Sequence, residues 1–286
     1  MTLNKTGQRA VAAAFFAVLA VLYTIAWMSP AMGLFHDDAV YLVTAKAIAA
    51  GHGYMIDSLP EPIRQTKYPP LFPALLALFT LVSSQPWWLK LLPLACTVAW
   101  LAVTYRLLLR MGASRAGGLL LVGLTAASPM VLFLSTNLLS ETLFALLITA
   151  TLLMLIEDHA LAAGILAGLS VLTRTAGGPL IAACIITLVA RRRFRSAVIF
   201  SAVSMLLVAP WLGWSLAHVP HDPYYGTNNY IASNIVTGLA ANEKAIVVVR
   251  NALLLLASPL SLLFGLNNLY AVGSTLAVGL WCIIRR

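Results

Sequence analysis

The sequence is poor in charge, poorer still in acid, and nearly without cysteine. Only 9% of its 286 residues are Asp, Glu, Lys or Arg, against about 25% in an ordinary soluble domain. A water-soluble charged surface is therefore excluded. Cys96, Cys184 and Cys282 each lie inside an apolar run, with no CxxC or Cys/His spacing, so neither a disulfide framework nor a zinc site is indicated. Internal repeats and low-complexity linkers are also lacking, so one integral domain over residues 1 to 286 is the economical organisation.

What fills the chain instead is hydrocarbon: 61% hydrophobic residues and a mean hydropathy of +0.91, the composition of a polytopic membrane protein. A net charge of +9 would suit nucleic acid, but the basic residues gather in short clusters between apolar runs. These are Arg106, Arg110 and Arg115, then Arg191, Arg192, Arg193 and Arg195, then Arg285 and Arg286. Such spacing is what the positive-inside rule requires, and nucleic acid is set aside. Lys5 and Arg9 precede an apolar stretch longer than the ~7–15 residues of a signal-peptide core, which reads as a retained first span.

A helix needs about 20 apolar residues to cross a hydrocarbon core of about 30 Å. Candidate spans run from 10 to 29, 88 to 109, 116 to 135, 138 to 156, 160 to 175, 177 to 190, 196 to 216 and 265 to 284. The expected fold class is accordingly all-α, a transmembrane helical bundle of about eight spans. The apolar segment from Leu71 to Val82 decides the topology. If it crossed, two arginine clusters would fall outside; if it lies along the outer leaflet, Lys5, Arg9 and all three arginine clusters fall inside. The second option is adopted, with a cytoplasmic N-terminus. It leaves a long first outer loop at residues 31 to 87, carrying juxtamembrane helices, and a second outer loop at 218 to 250. Residues 245 to 256 read as an interfacial helix or a partial entry, and not as a full crossing.

With this topology Asp37, Asp38, Asp57, Glu61, Glu141, Asp222 and Glu243 gather on or near the outer side, and only Glu157 and Asp158 face inside. Asp37 and Asp38 stand at the mouth of the first span, near the start of a short helix. Capping explains one carboxylate; a second beside it is better explained by a proton to be removed or a cation to be held. Lys67 precedes Tyr68-Pro69-Pro70, where two prolines stiffen the backbone and would aim the ammonium at a phosphate. Interfacial snorkelling is the plainer alternative. Glu141 begins one span and Arg174 ends another: either they pair with each other, or Arg174 binds an anionic head group. Arg191 to Arg195 read as a topology anchor, and His221-Asp222 as either turn chemistry or part of a site.

Several motifs together resemble one family. They are His36-Asp37-Asp38-Ala39-x-Tyr41, Gly51-His52-Gly53-Tyr54, Lys67-Tyr68-Pro69-Pro70-Leu71-Phe72-Pro73, Ser140-Glu141-x-Leu143-Phe144, Gly164 to Gly168 leading to Leu172-Thr173-Arg174, and Pro210-Trp211. In order and spacing, over roughly residues 8 to 217, the set is similar to the GT-C membrane glycosyltransferases, in the branch of protein O-mannosyltransferases and lipid A aminoarabinose transferases. Relatives usually continue with further spans or a soluble outer domain, so the likeness is to a C-terminally short member.

The resemblance implies a glycosyltransferase that moves a sugar from a polyprenyl-phosphate donor to a lipid, glycan or protein acceptor, with inversion, on the periplasmic or extracellular face of the plasma (inner) membrane. It implies Asp37 as catalytic base, with Asp38 standing where glutamate is commoner, and Lys67 on the donor phosphate. Arg174 resembles an arginine near that phosphate, with Arg64 as a weaker candidate. Tyr68, Glu141 and His221 complete the expected substrate-binding set. No cofactor is implied; a divalent metal bridging Asp37 and Asp38 would need further ligands that the sequence does not show. The other class consistent with the residues is non-enzymatic: a lipid-linked sugar translocator, which should bury ionisable groups in mid-span, or an inactive scaffold. Single cysteines placed at Ser84 and Ala113, in a variant lacking the native three, test the topology: an impermeant thiol reagent added outside should label the first and spare the second.

Overall fold

The computed structural model describes residues 5 to 33 and 35 to 218. The expected second outer loop from residue 219 onward, including His221, and the last candidate span lie outside the described residues. Helix α1 (Lys5–Met28) leads into α2 (His36–Ala49), which Gly51 and Gly53 end with positive φ of 80° and 93°, a backbone that side chains with a Cβ resist. A two-residue hairpin follows, β1 (Met55–Ile56) against β2 (Ile63–Arg64), with Met55 opposite Arg64. Apart from that hairpin the regular elements among the described residues are helical, in keeping with the helical class expected. Next come α3 (Leu71–Thr80), α4 (Pro86–Leu89), α5 (Leu91–Arg110), α6 (Arg115–Ala126) and α7 (Pro129–Ser135). The described part closes with α8 (Glu141–Ile156), α9 (Ala160–Thr173), a 3₁₀ turn at Thr175–Gly177, α10 (Gly178–Ala190) and α11 (Phe194–Ala217).

The chain is an integral membrane protein built mainly from apolar helices. Among the described residues two helices are long and apolar enough to cross a membrane unaided, the 25-residue helical stretch Pro86–Arg110 and the 24-residue α11. The segment expected to cross from 116 to 135 is bent by 68° between α6 and α7. The break falls where Ser128 takes an extended backbone ahead of Pro129, as a residue before proline prefers. Helices α8, α9 and α10 are apolar but shorter, so a count of eight crossings would depend on them. Helix α3 has ten residues, a length of about 15 Å and half of a hydrocarbon core. It packs Phe72, Leu76 and Ala77 into one buried cluster with Tyr41 and Ala45 of α2 and with Leu92 and Leu143 of α5 and α8.

Polar bonds set the helix directions. Thr142 Oγ1 donates to the Pro93 carbonyl at 3.2 Å, Trp100 Nε1 to Thr149 Oγ1 at 3.1 Å, and Arg106 Nη2 to Glu157 at 2.8 Å. These contacts advance along both chains together, so α5 and α8 are parallel. The paired charges lie at two opposite ends. At one, Glu157 takes Arg106 and Arg110, at 2.8 and 2.9 Å, and Asp158 takes Arg193 at 2.5 Å. The Arg106 hydrogen bond, helped by the charges of both arginines, holds the Glu157 carboxyl below its ordinary range. At the other end α9 returns Arg174 to Glu141.

Helices α9 and α11 touch most closely at two glycines. A Cβ on Gly164 would come within 2.9 Å of the Phe200 carbonyl, and one on Gly168 within 2.9 Å of Leu207 Cδ1. The missing side chains let the two backbones approach, as small residues do between membrane helices, and Ser204 Oγ donates to the Gly164 carbonyl at 3.1 Å. Arg174 at the end of α9 and the tryptophans near the end of α11 are thereby held in fixed relation. Gly164→Ala should cost about 1–3 kcal/mol through overpacking, read as a lowered midpoint of thermal unfolding in detergent. Gly178→Ala, whose Cβ would meet nothing within 4 Å, should leave the midpoint unmoved.

Candidate active site

Three positions one or two turns apart on α2 carry polar side chains to the same side. Asp37 accepts a short hydrogen bond from the Tyr68 hydroxyl, Tyr41 shares one of 3.0 Å with Ser140 Oγ, and Thr44 Oγ1 accepts from Gln65 Nε2 at 3.4 Å. The spacing i, i+4, i+7 places them on one helix face. Asp38 points elsewhere and is buried. Its Oδ1 accepts from the Phe35 backbone N–H at 2.9 Å, closing the first turn of α2.

The loop that supplies Tyr68 is held from both sides. Gln65, itself buried, receives the backbone N–H groups of Lys67 and Tyr68 on Oε1, at 2.9 and 3.3 Å. Trp214 Nε1 of α11 donates to the Gln65 carbonyl at 3.0 Å, and Tyr54 donates its hydroxyl to the Tyr68 carbonyl at 2.7 Å. Two prolines follow, so little freedom remains in the stretch from Gln65 to Pro70. Lys67 Nζ lies 5.0 Å from the Tyr68 ring centre, and the Arg64 guanidinium 5.9 Å from the Trp214 ring.

Between this loop and α2 lies a cavity of about 350 Å³. Its lining includes His36, Val40 and Val43 of α2 together with Arg64, Lys67 and Tyr68. Three basic side chains thus surround a largely apolar hollow. Asp37 is not part of its wall; it adjoins the hollow through Tyr68, whose hydroxyl it binds. Beyond Tyr41, Arg174 Nη1 donates to Glu141 Oε1 at 2.6 Å and to Ser140 Oγ at 3.1 Å. Arg174 is therefore paired, and its ion pair is about one-third exposed on each side. The charges of Arg174, Asp37 and Glu141 all act on Tyr41, whose hydroxyl burial pushes up to about 12, against the pull of the Ser140 bond. Tyr41 is a neutral phenol at any physiological pH.

The structure thus brings Arg64, Lys67 and Tyr68 to one cavity, joins Asp37 to it, and sets Glu141 and Arg174 one tyrosine away. Chemically this is a carboxylate able to take a proton, beside cations able to meet an anion. Sequence reasoning missed Gln65, a polar residue with no charge to draw attention, and gave Ser140 no role beyond its place in the motif with Glu141. It also missed Lys90. That lysine is buried, donates from Nζ to the Ser29 carbonyl at 2.7 Å, and feels the charge of Asp38. An ionisable residue between apolar neighbours after Trp87-Trp88 was the available signal. Lys90 ties the exit of α1 to the start of α2, which carries Asp37. Lys90→Met should cost about 1–3 kcal/mol by stranding its buried acceptors, measured as thermal unfolding in detergent.

No protein-family model matches the sequence, and no curated protein does. The crystal structure of ArnT from Cupriavidus metallidurans in the apo state is similar in fold, with a TM-score of 0.58 at 15% sequence identity over 82% of this chain. The match takes in 45% of the ArnT chain, so the present chain spans less than half of that protein's length. At such an identity the likeness is one of fold alone, and it agrees with the mainly helical architecture expected from the sequence.

Proposed function

We propose that the chain is a membrane glycosyltransferase that moves a sugar from a polyprenyl-phosphate donor to an acceptor on the outer face of the plasma membrane. The observation that carries this reading is the pairing of Asp37 with Tyr68, because it joins a partly exposed carboxylate to the cavity that holds Lys67 and Arg64. The fold shared with ArnT supports it. So does the place of the cavity, between the short helix α2 and the hairpin and loop that precede α3, away from the arginine-rich end.

In this mechanism Asp37 takes a proton from the acceptor hydroxyl or amine as that atom attacks the anomeric carbon. The bond from that carbon to the phosphate oxygen breaks on the opposite side, so the configuration inverts. Polyprenyl phosphate leaves with the bonding electrons. Lys67 and Arg64 offset its growing charge, and such fixed cations act most strongly where water is excluded. Tyr68 orients the Asp37 carboxylate. Arg174, already neutralised in part by Glu141, adds positive potential through Tyr41 and does not act as a lone phosphate clamp. Asp38 acts through the fold, by closing the first turn of α2. The described charged side chains that form ion pairs sit near helix ends or in loops, which favours chemistry at the surface over a translocator with ionisable groups in mid-span.

Asp37→Asn should lower single-turnover release of polyprenyl phosphate from synthetic donors by about 10²- to 10⁴-fold, with its unfolding profile in detergent unchanged. Full release by this variant would remove Asp37 from the chemistry. Absence of release by the unaltered protein with every donor and acceptor tried would favour a scaffold.

A further inference from the structure

The reaction proposed above uses one end of the helices. The other end holds a second cavity, of about 330 Å³, at the small end of the ~300–1,000 Å³ typical of ligand pockets. Its wall is almost wholly apolar, built from Leu107 and Met111 at the end of α5, Leu152 and Leu155 of α8, and Ala183 and Leu188 of α10. Arg191 and Arg193 stand where α10 ends and border it. A slot walled by membrane helices and rimmed by guanidinium groups takes its occupant from the bilayer.

The charges at this end decide which occupant. Only two of the described carboxylates lie there, and both are engaged: Glu157 by Arg106 and Arg110, Asp158 by Arg193. Arg191 has no ion-pair partner among the described residues, yet it borders the apolar slot. A cation so placed is complemented by an anion that travels on a hydrocarbon chain. A zwitterionic lipid fits less well, because its own ammonium is repelled by the surrounding arginines. We propose that this cavity binds one anionic phospholipid from the adjacent leaflet, with an acyl chain in the groove between α5, α8 and α10 and the phosphodiester on Arg191. Basic pockets between helices on the arginine-rich side are suited to such head groups. The lipid would also fill the flank of α10, which has 13 residues, about 20 Å and too short to span a full hydrocarbon core by itself.

The test is native mass spectrometry of the full chain released from micelles holding equal phosphatidylglycerol and phosphatidylcholine. The unaltered protein should retain one phosphatidylglycerol in preference. Arg191→Gln should reduce that preference about fivefold, the worth of one arginine near an anionic surface, and Ala183→Trp should abolish retention by filling the slot. Arg195→Gln removes a charge from the same end without touching the cavity wall and should change nothing. Equal effects of Arg191→Gln and Arg195→Gln would overturn the proposal in favour of diffuse attraction. So would retention by Ala183→Trp, or an unaltered protein that carries no lipid because another part of the chain lies in the groove. Arg191→Gln alters only an exposed side chain, so its result stands even if Ala183→Trp fails to fold.

Discussion

A charge in the middle of a bilayer costs about 2.5–3.5 kcal/mol on insertion scales, and that cost sorts this molecule into two polar ends joined by hydrocarbon. Glu157, Asp158 and their arginines take one end; Asp37, Glu141 and Arg174 take the other. Each carboxylate is satisfied by a group from a distant part of the sequence, so helices that make no local contact are tied at their tips. Parallel α5 and α8 follow from this arrangement, and so does the return of α9. The chemistry proposed at one end and the lipid site proposed at the other both depend on this separation.

Rigidity at the candidate active site comes from small, mostly uncharged groups. The bonds from Gln65 to Lys67 and Tyr68, and from Trp214 to Gln65, fix the loop before the proline pair. Tyr41 and Ser140 connect α2 to the Glu141–Arg174 pair. A base must be within hydrogen-bond reach of the proton it removes, and the Tyr68 bond already holds Asp37 in place before any substrate arrives. Close packing of α9 on α11 through Gly164 and Gly168 carries that order into the membrane-embedded helices. Arg174 and Trp214 sit at the tips of those two helices.

The two neighbouring aspartates illustrate how a sequence pattern divides into roles. A step of one residue rotates a side chain by about 100° around a helix. Asp37 therefore meets Tyr68 while Asp38 turns inward to the Phe35 amide and the charge of Lys90. The capping reading fits Asp38, whose carboxylate takes the Phe35 amide, while Asp37 is the carboxylate proposed as proton acceptor. The same rotation separates His36, Val40 and Val43, which line the cavity, from Asp37, Tyr41 and Thr44, which bind the polar network.

Composition and the placement of arginines determined the membrane class, the helical architecture and the gathering of the motifs at the end opposite the arginine clusters, because hydrophobicity and charge act through the solvent and need no knowledge of contacts. Pro129 likewise marks the bend after α6, since its effect on Ser128 is local. Only the tertiary structure decided that Arg174 is already paired, that Lys67 and Arg64 share a cavity, and that Asp37 reaches it by way of Tyr68. The first and last of those facts depend on side chains separated by 33 and 31 residues meeting at distances of a hydrogen bond, and helix directions and rotations, which periodicity leaves open, determine whether they meet.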